Sequence, residues 1–217
     1  MRPGSGRLIA AAACLAGFVA LALSVSRSTP LTPADIAVEQ AIISHRSPGL
    51  TTAFHASTTI ATLPFVVAAA LTGVLMLVRR TRSWVAPTVL ARGVSLSALT
   101  IALVTIGVGR ARPGPDDRNG PAALDFAFPY GDTGNETATP WLATVLVCAT
   151  LPRSVPRTLA LTCAGVLSAG IGLSRVYLGY HWPSDVVGGW ALAATITCLA
   201  SYAFETLRTH SSQAGID

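Results

Sequence analysis

"SRVYLGYHWPSD", residues 174–185, sets an arginine, a histidine and an aspartate between two apolar runs, Thr158 to about Leu173 and Val186 to Phe204. Each run approaches the roughly 20 residues that a helix needs to cross the hydrocarbon of a bilayer, so the stretch reads as a polar turn joining two membrane helices. Outward from it lie Leu8 to Val25, Ser57 to Val78, Gly93 to Gly109 and a run ending at Leu151, which brings the count to six. The fourth of the six is long enough only if it begins near Asp132 and carries Pro140 inside it. Such a proline is tolerated in a membrane because neighbouring helices re-satisfy the freed carbonyl. The expected fold is an all-α polytopic membrane protein with six transmembrane helices, a single integral domain over residues 1–217.

Composition agrees with that reading. Half of the chain is hydrophobic, 12% is charged and the mean hydropathy is +0.56, far from an ordinary soluble domain. The net charge of +5 does not describe a nucleic-acid surface, because the arginines sit in short clusters between apolar runs. Lysine is absent, so any phosphate clamp must be built from guanidinium groups. Cys14, Cys148, Cys163 and Cys198 lie inside apolar runs without metal-type spacing and read as small hydrophobes; neither a metal nor a cofactor is implied.

The arginines also assign sides. Arg2, Arg7, Arg79, Arg80, Arg82, Arg153, Arg157 and Arg208 fall in the termini and in the second and fourth loops, which the positive-inside rule makes cytoplasmic. The expected location is a cell membrane of bacterial plasma-membrane type, with both termini inside. Arg92, at the start of the third run, snorkels to that interface. Residues 1–25 read as a span rather than a cleaved signal peptide, since no clear small-x-small site follows. Segments 26–56, 110–131 and 174–185 then face outward, and with Asp132 at the margin they hold seven of the ten acids. Within the first, residues 32–50 read as a short amphipathic helix on the outer surface, with Ala37, Ile42 and Ile43 towards lipid. Trp182, Tyr177 and Tyr180 suit the aromatic belt, and His45 and His55 are lone.

His181 and Asp185 are four residues apart, with Pro183 placed to open a helix between them. A carboxylate within reach of one imidazole nitrogen fixes the tautomer and leaves the other nitrogen to attack or to take a proton. The plainer alternative has Asp185 complementing the helix N-terminus and His181 as interfacial decoration. Arg175 favours chemistry, since a guanidinium beside a nucleophilic imidazole can hold a phosphate.

These residues resemble the third signature of the type 2 phosphatidic acid phosphatase superfamily, the membrane lipid phosphatases related to haloperoxidases: Ser-Arg, five residues, His, three residues, Asp. Arg112-Pro113 is similar to the end of the first signature, and Pro129 with Gly131 to part of the second. The order and the six-span topology agree over about residues 57–204. The resemblance implies the family's helical bundle and a lipid phosphate or polyprenyl diphosphate as substrate. It implies that His181 forms a phosphohistidine, that Asp185 orients it, and that Arg112 and Arg175 hold the phosphate with Ser174 and Gly131 in support. The family's lysine falls on Thr105, for which Arg110, five residues on, is a candidate substitute or else an interfacial anchor; the second signature's serine and histidine fall on Tyr130 and Asp132. Asp132 therefore stands where the leaving-group acid belongs, or else caps the fourth helix; Glu136, one turn on, is a second candidate acid. Asp116, Asp117 and Arg118 read as a solvated turn. Three functions stay open: a phosphatase, an impaired relative that binds anionic lipid or a partner, and a lipid phosphotransferase.

Overall fold

A computed structural model describes residues 5–26, 33–60, 63–129, 138–150 and 157–213. Among them are eight α-helices and no strand: α1 Ser5–Ser26, α2 Pro33–Ser44, α3 Pro48–Ile60, α4 Leu63–Thr81, α5 Val85–Val108, α6 Ala138–Thr150, α7 Arg157–Tyr177 and α8 Pro183–Gln213. The expectation of an all-α polytopic membrane protein holds. Among the described residues α1, α5, α7 and α8 are long and apolar enough to cross a bilayer, while α6, at 13 residues, is shorter. Exposed Leu71, Leu103, Ile106, Leu159 and Val166 are what a lipid-facing surface requires.

The last helix is the axis of the bundle. Half of α8's apolar stretch is buried, against 17% for α1, because α1, α5 and α6 all pack on it. At one end Leu77, Leu90, Leu142, Leu146 and Phe204 join α4, α5, α6 and α8 in one apolar cluster. Nearer the other end Phe18, Ile101, Phe128, Leu192 and Ile196 join α1, α5 and α8. The helix ends at the first pole gather arginines: Arg7 pairs with Glu205, and Arg80 and Arg208 line a cavity of about 280 Å³ with Thr81, Ser83 and Thr150. The loop from α7 to α8 lies at the opposite pole.

Two boundaries differ from the sequence reading. The third run was expected from Gly93, but its helix begins at Val85, so Arg92 lies two turns inside α5 with an exposed side chain. Residues 32–50 are not one helix lying on the surface. Pro48 starts a second helix, α3, that runs on to Ile60, and α2 docks on the ends of α7 and α8. Ala37 is exposed as expected, but Ile42 packs against Ile171, Val176 and Val186, and Asp35 and Glu39 point inward at 4% and 2% exposure. The sequence reading put Ile42 towards lipid and could not reveal that Asp35 has a buried partner.

Candidate active site

The loop's conformation follows from its own sequence. Helix α7 ends in a Schellman motif: Gly179, with φ +74°, donates to Val176 O at 3.0 Å, and Tyr180 N donates to Arg175 O at 2.9 Å. Glycine is required there twice over, because a Cβ would also lie 2.3 Å from Asp117 O. Two residues later Trp182 caps α8, with Pro183 in the first helical position as expected. Asp185 Oδ2 accepts from Trp182 N at 2.8 Å, the carboxylate half of a capping box. His181 is pinned between the two helix ends, fully buried.

Among the described residues, two groups hydrogen-bond the imidazole and a third stands close by. Nδ1 lies 2.9 Å from Ala127 O, and Nε2 lies 2.9 Å from Arg112 Nη1. A carbonyl only accepts and a guanidinium only donates, so the partners assign the proton to Nδ1 and the lone pair to Nε2. Asp185 Oδ2 stands 3.7 Å from Nδ1, close enough to act on the ring's charge but beyond a hydrogen bond. Asp185 thus stands beside the ring without hydrogen-bonding it: the backbone of Ala127 accepts the Nδ1 proton, and the oxygens of Asp185 accept from Trp182 N and from Arg110 Nη1. Ala127 is itself held by its N–H to Arg110 O at 2.8 Å, and the neighbouring Phe128 ring presses on Gly188, where a Cβ would sit 2.6 Å away.

Arg112 reaches the same place. Its Nη1 also donates to Tyr180 O at 2.7 Å, while Nε and Nη2 donate to Asp125 O at 3.0 Å and Asp125 Oδ2 at 2.9 Å. The fork is presented to His181 with its side chain 3% exposed. Arg175, in the last turn of α7, is half-buried, and its carbonyl accepts from His181 N at 3.4 Å.

Two expected phosphate ligands are corrected. Arg110 is 4% exposed and its fork is committed: Nη2 donates to Asp35 Oδ2 at 2.7 Å, and Nη1 donates to Asp185 Oδ1 and to Ser184 Oγ. A guanidinium between two buried carboxylates is not available to replace the missing lysine. Ser174 is fully buried and donates to Ile171 O of its own helix at 2.6 Å, so its proton is not offered to a ligand. The aromatic residues are corrected as well. Tyr177 and Trp182 are buried rather than in a lipid belt, with Trp182 Nε1 donating to Ala111 O at 3.0 Å and the Tyr177 hydroxyl accepting from Ser47 N at 2.9 Å. Tyr130, Gly131, Asp132 and Glu136 lie outside the described residues. Asp116 and Asp117 form a short 3-10 turn at Pro115–Asp117, and no cluster of metal-type ligands occurs among the described residues.

Asp35 and Asp125 are the site residues that sequence reasoning missed. Asp35 takes Ser184 N at 2.9 Å and Ser184 Oγ at 2.6 Å in addition to Arg110. Burial alone would raise its carboxyl, but hydrogen bonds from Ser184 and Arg110 outweigh that and hold it below the usual carboxylate range. Four residues on, Glu39 has no such donors; burial first, then the charge of Asp117, push it up to about 7 against the pull of Arg46. The only sign of Asp35 or Glu39 in the sequence is an acid on a mostly apolar helix, and Asp125 has none.

Known proteins place this geometry. A solved structure described as the first transmembrane PAP2 type phosphatidylglycerolphosphate phosphatase, from Bacillus subtilis, superposes with a TM-score of 0.78 over 88% of this chain and 94% of that one, at 22% identity. That likeness establishes the fold. A curated relative, phosphatidylglycerophosphatase B of Bacillus subtilis (strain 168), is 38% identical over 68 residues, which is 31% of this chain and about a third of the relative's length, 34%. The sequence model of the PAP2 superfamily matches residues 88–209, which takes in Arg112, Arg175, His181 and Asp185 and more than half of the chain. On that match, and on the helical bundle that carries these side chains to one pole, the chain belongs to the PAP2 superfamily.

Proposed function

We propose that this protein is a lipid phosphate phosphatase that works through a phosphohistidine at the outer membrane face. The observation that carries the reading is the imidazole itself: buried, with its Nδ1 proton donated to the Ala127 carbonyl and its Nε2 lone pair turned towards Arg112. A hydrogen-bond acceptor aimed at a guanidinium becomes a nucleophile once that guanidinium holds a phosphate. Nε2 attacks phosphorus, the N–P bond forms as the P–O bond to the lipid breaks, and the departing oxygen takes the proton of Asp132, which recovers it from the water that attacks next. Water then attacks the phosphohistidine, giving inorganic phosphate and returning the lone pair to Nε2. Arg112 and Arg175 neutralise the transferring phosphoryl group, and Asp185, 3.7 Å behind Nδ1, favours the positive charge the ring acquires.

The substrate class is a phosphatidyl phosphate or polyprenyl diphosphate. The relatives named for phosphatidylglycerophosphate support the first. Asp132, as the acid in place of histidine, favours the second, since a departing phosphate needs less protonation than an alkoxide. The chain spans the membrane six times with both termini in the cytoplasm. The arginine-lined pole supports that orientation, and the His181 loop at the other pole supports an outward site. One observation favours a slow enzyme or a binder: with Arg110 committed to carboxylates, the site has one phosphate cation fewer than the family pattern.

Phosphate release by detergent-purified protein, assayed on phosphatidylglycerophosphate and farnesyl diphosphate, tests the reading. Release by the wild type with none from His181→Ala is the expected result. Equal traces from both, with activity gained by Asp132→His, would establish the binder instead.

A further inference from the structure

We propose that Asp35, on a helix outside the residues matched by the family, is a positioning residue for the reaction: through Arg110 it keeps the buried cluster behind His181 net negative and keeps that guanidinium away from the phosphate. The inference rests on the phosphatase reading above.

The argument is one of charge. Attack by Nε2 puts a positive charge on the imidazole, shared with Nδ1, so the field of what stands behind Nδ1 enters the barrier directly. Asp185 stands there, but its Oδ1 accepts from Arg110, and an Asp185–Arg110 pair taken alone is neutral. Asp35 accepts from the same guanidinium, 2.7 Å from Nη2, so two carboxylates share one cation and the cluster carries a net charge of −1. All three side chains are 4% exposed or less, which leaves this charge little screened by water. Among the described residues, the other charged groups around the ring do not provide this. Arg112 faces Nε2, where the phosphate sits, and Asp125 is bound to Arg112 on that side. Arg175 reaches the site from α7 with the wrong sign.

Geometry supports the same role. Asp35 accepts both the N–H and the hydroxyl of Ser184, the residue before Asp185, and so fixes the first turn of α8 from 149 positions away in the chain. Arg110, with both Nη atoms on carboxylates, cannot swing to the substrate phosphate and pull Asp185 out of place.

The test measures kcat and KM for release of phosphate from short-chain phosphatidylglycerophosphate by wild type, His181→Ala, Asp35→Asn and Asp35→Glu, with a melting temperature for each. Removing this unit charge is expected to lower kcat about tenfold in Asp35→Asn with KM within a factor of about two. Asp35→Glu, which restores the charge, is expected to recover most of the loss. If Asp35→Asn does not fold, Asp35→Ala is assayed with and without sodium formate, and rescue by formate but not by chloride is expected. A folded Asp35→Asn with wild-type kcat, a loss that falls on KM, or a loss that neither Asp35→Glu nor formate repairs would each overturn the inference. A wild type no faster than His181→Ala would overturn the phosphatase reading and this inference with it.

Discussion

His181 shows how the chemistry of one side chain is decided by partners that sequence spacing does not reveal. The spacing to Asp185 is right, and in the fold the two are close, yet the proton on Nδ1 is held by the carbonyl of Ala127, 54 residues earlier. A backbone acceptor leaves no trace in residue identity, so it could not be read in advance. Arg112 and His181 were legible because their types and order carry the chemistry. Arg110 was legible as a cation but not in its place, since its partners Asp35 and Asp185 lie 75 residues away on either side. Arg112 makes a sharper prediction. It reaches Asp125, Tyr180 and His181 with a planar fork that lysine cannot reproduce, so Arg112→Lys is expected to lose about 10²-fold or more in kcat/KM, measured by phosphate release, although charge is kept. Activity within threefold of wild type would show that charge alone suffices.

At the scale of the element, the α7–α8 loop explains itself better than any other part of the chain. Gly179 ends one helix and Pro183 begins the next; the proline was legible from a local rule alone, while the glycine also answers to the close approach of Asp117 O. Helix α2 is the opposite case: it read as a surface helix, and its Asp35 is buried against Ser184 at the start of α8 and Arg110 just after α5. Gly188 connects an element to the site. Its first added carbon would meet the Phe128 ring at 2.6 Å, next to the carbonyl that orients His181, so Gly188→Ala is expected to cost about 1–3 kcal/mol of stability and to lower kcat more than KM. A melting curve and steady-state kinetics check both halves.

Glu39 gives α2 a dependence on pH. Its carboxyl is raised from an ordinary 4.5 to about 7 in the fold, so the folded state binds its proton more tightly than the unfolded chain. That contribution is fully present below about pH 4.5 and is lost as pH rises through 7. Glu39→Gln, which stays neutral, is therefore expected to gain stability over the wild type as pH goes from 5 to 8, on the order of 1–3 kcal/mol. Thermal melts in detergent across that range decide it; a constant difference would place Glu39 in contact with water.

For the whole molecule, composition and the spacing of apolar runs gave the class, and the distribution of arginines gave two poles that the bundle reproduces. Helix boundaries were less legible, because apolar residues continue a helix and lengthen it equally well, which is why α5 starts eight residues before Gly93. Sidedness makes its own prediction in bacterial cells expressing a variant with the native cysteines replaced by serine. Leu124→Cys, exposed beside Asp125, is expected to react with a membrane-impermeant maleimide in intact cells; Trp84→Cys, exposed at the arginine pole, is expected to react only after permeabilisation. The reverse pattern would invert the protein in its membrane.

The central claim, that the Nε2 of His181 takes the phosphoryl group, is tested most directly by mixing the protein with radiolabelled lipid phosphate, quenching with alkali and mapping the label by mass spectrometry. The account requires an acid-labile, alkali-stable phosphoryl group on His181, formed within one turnover and absent from His181→Ala. Phosphate release at full rate with no such adduct, or label on another residue, would contradict it.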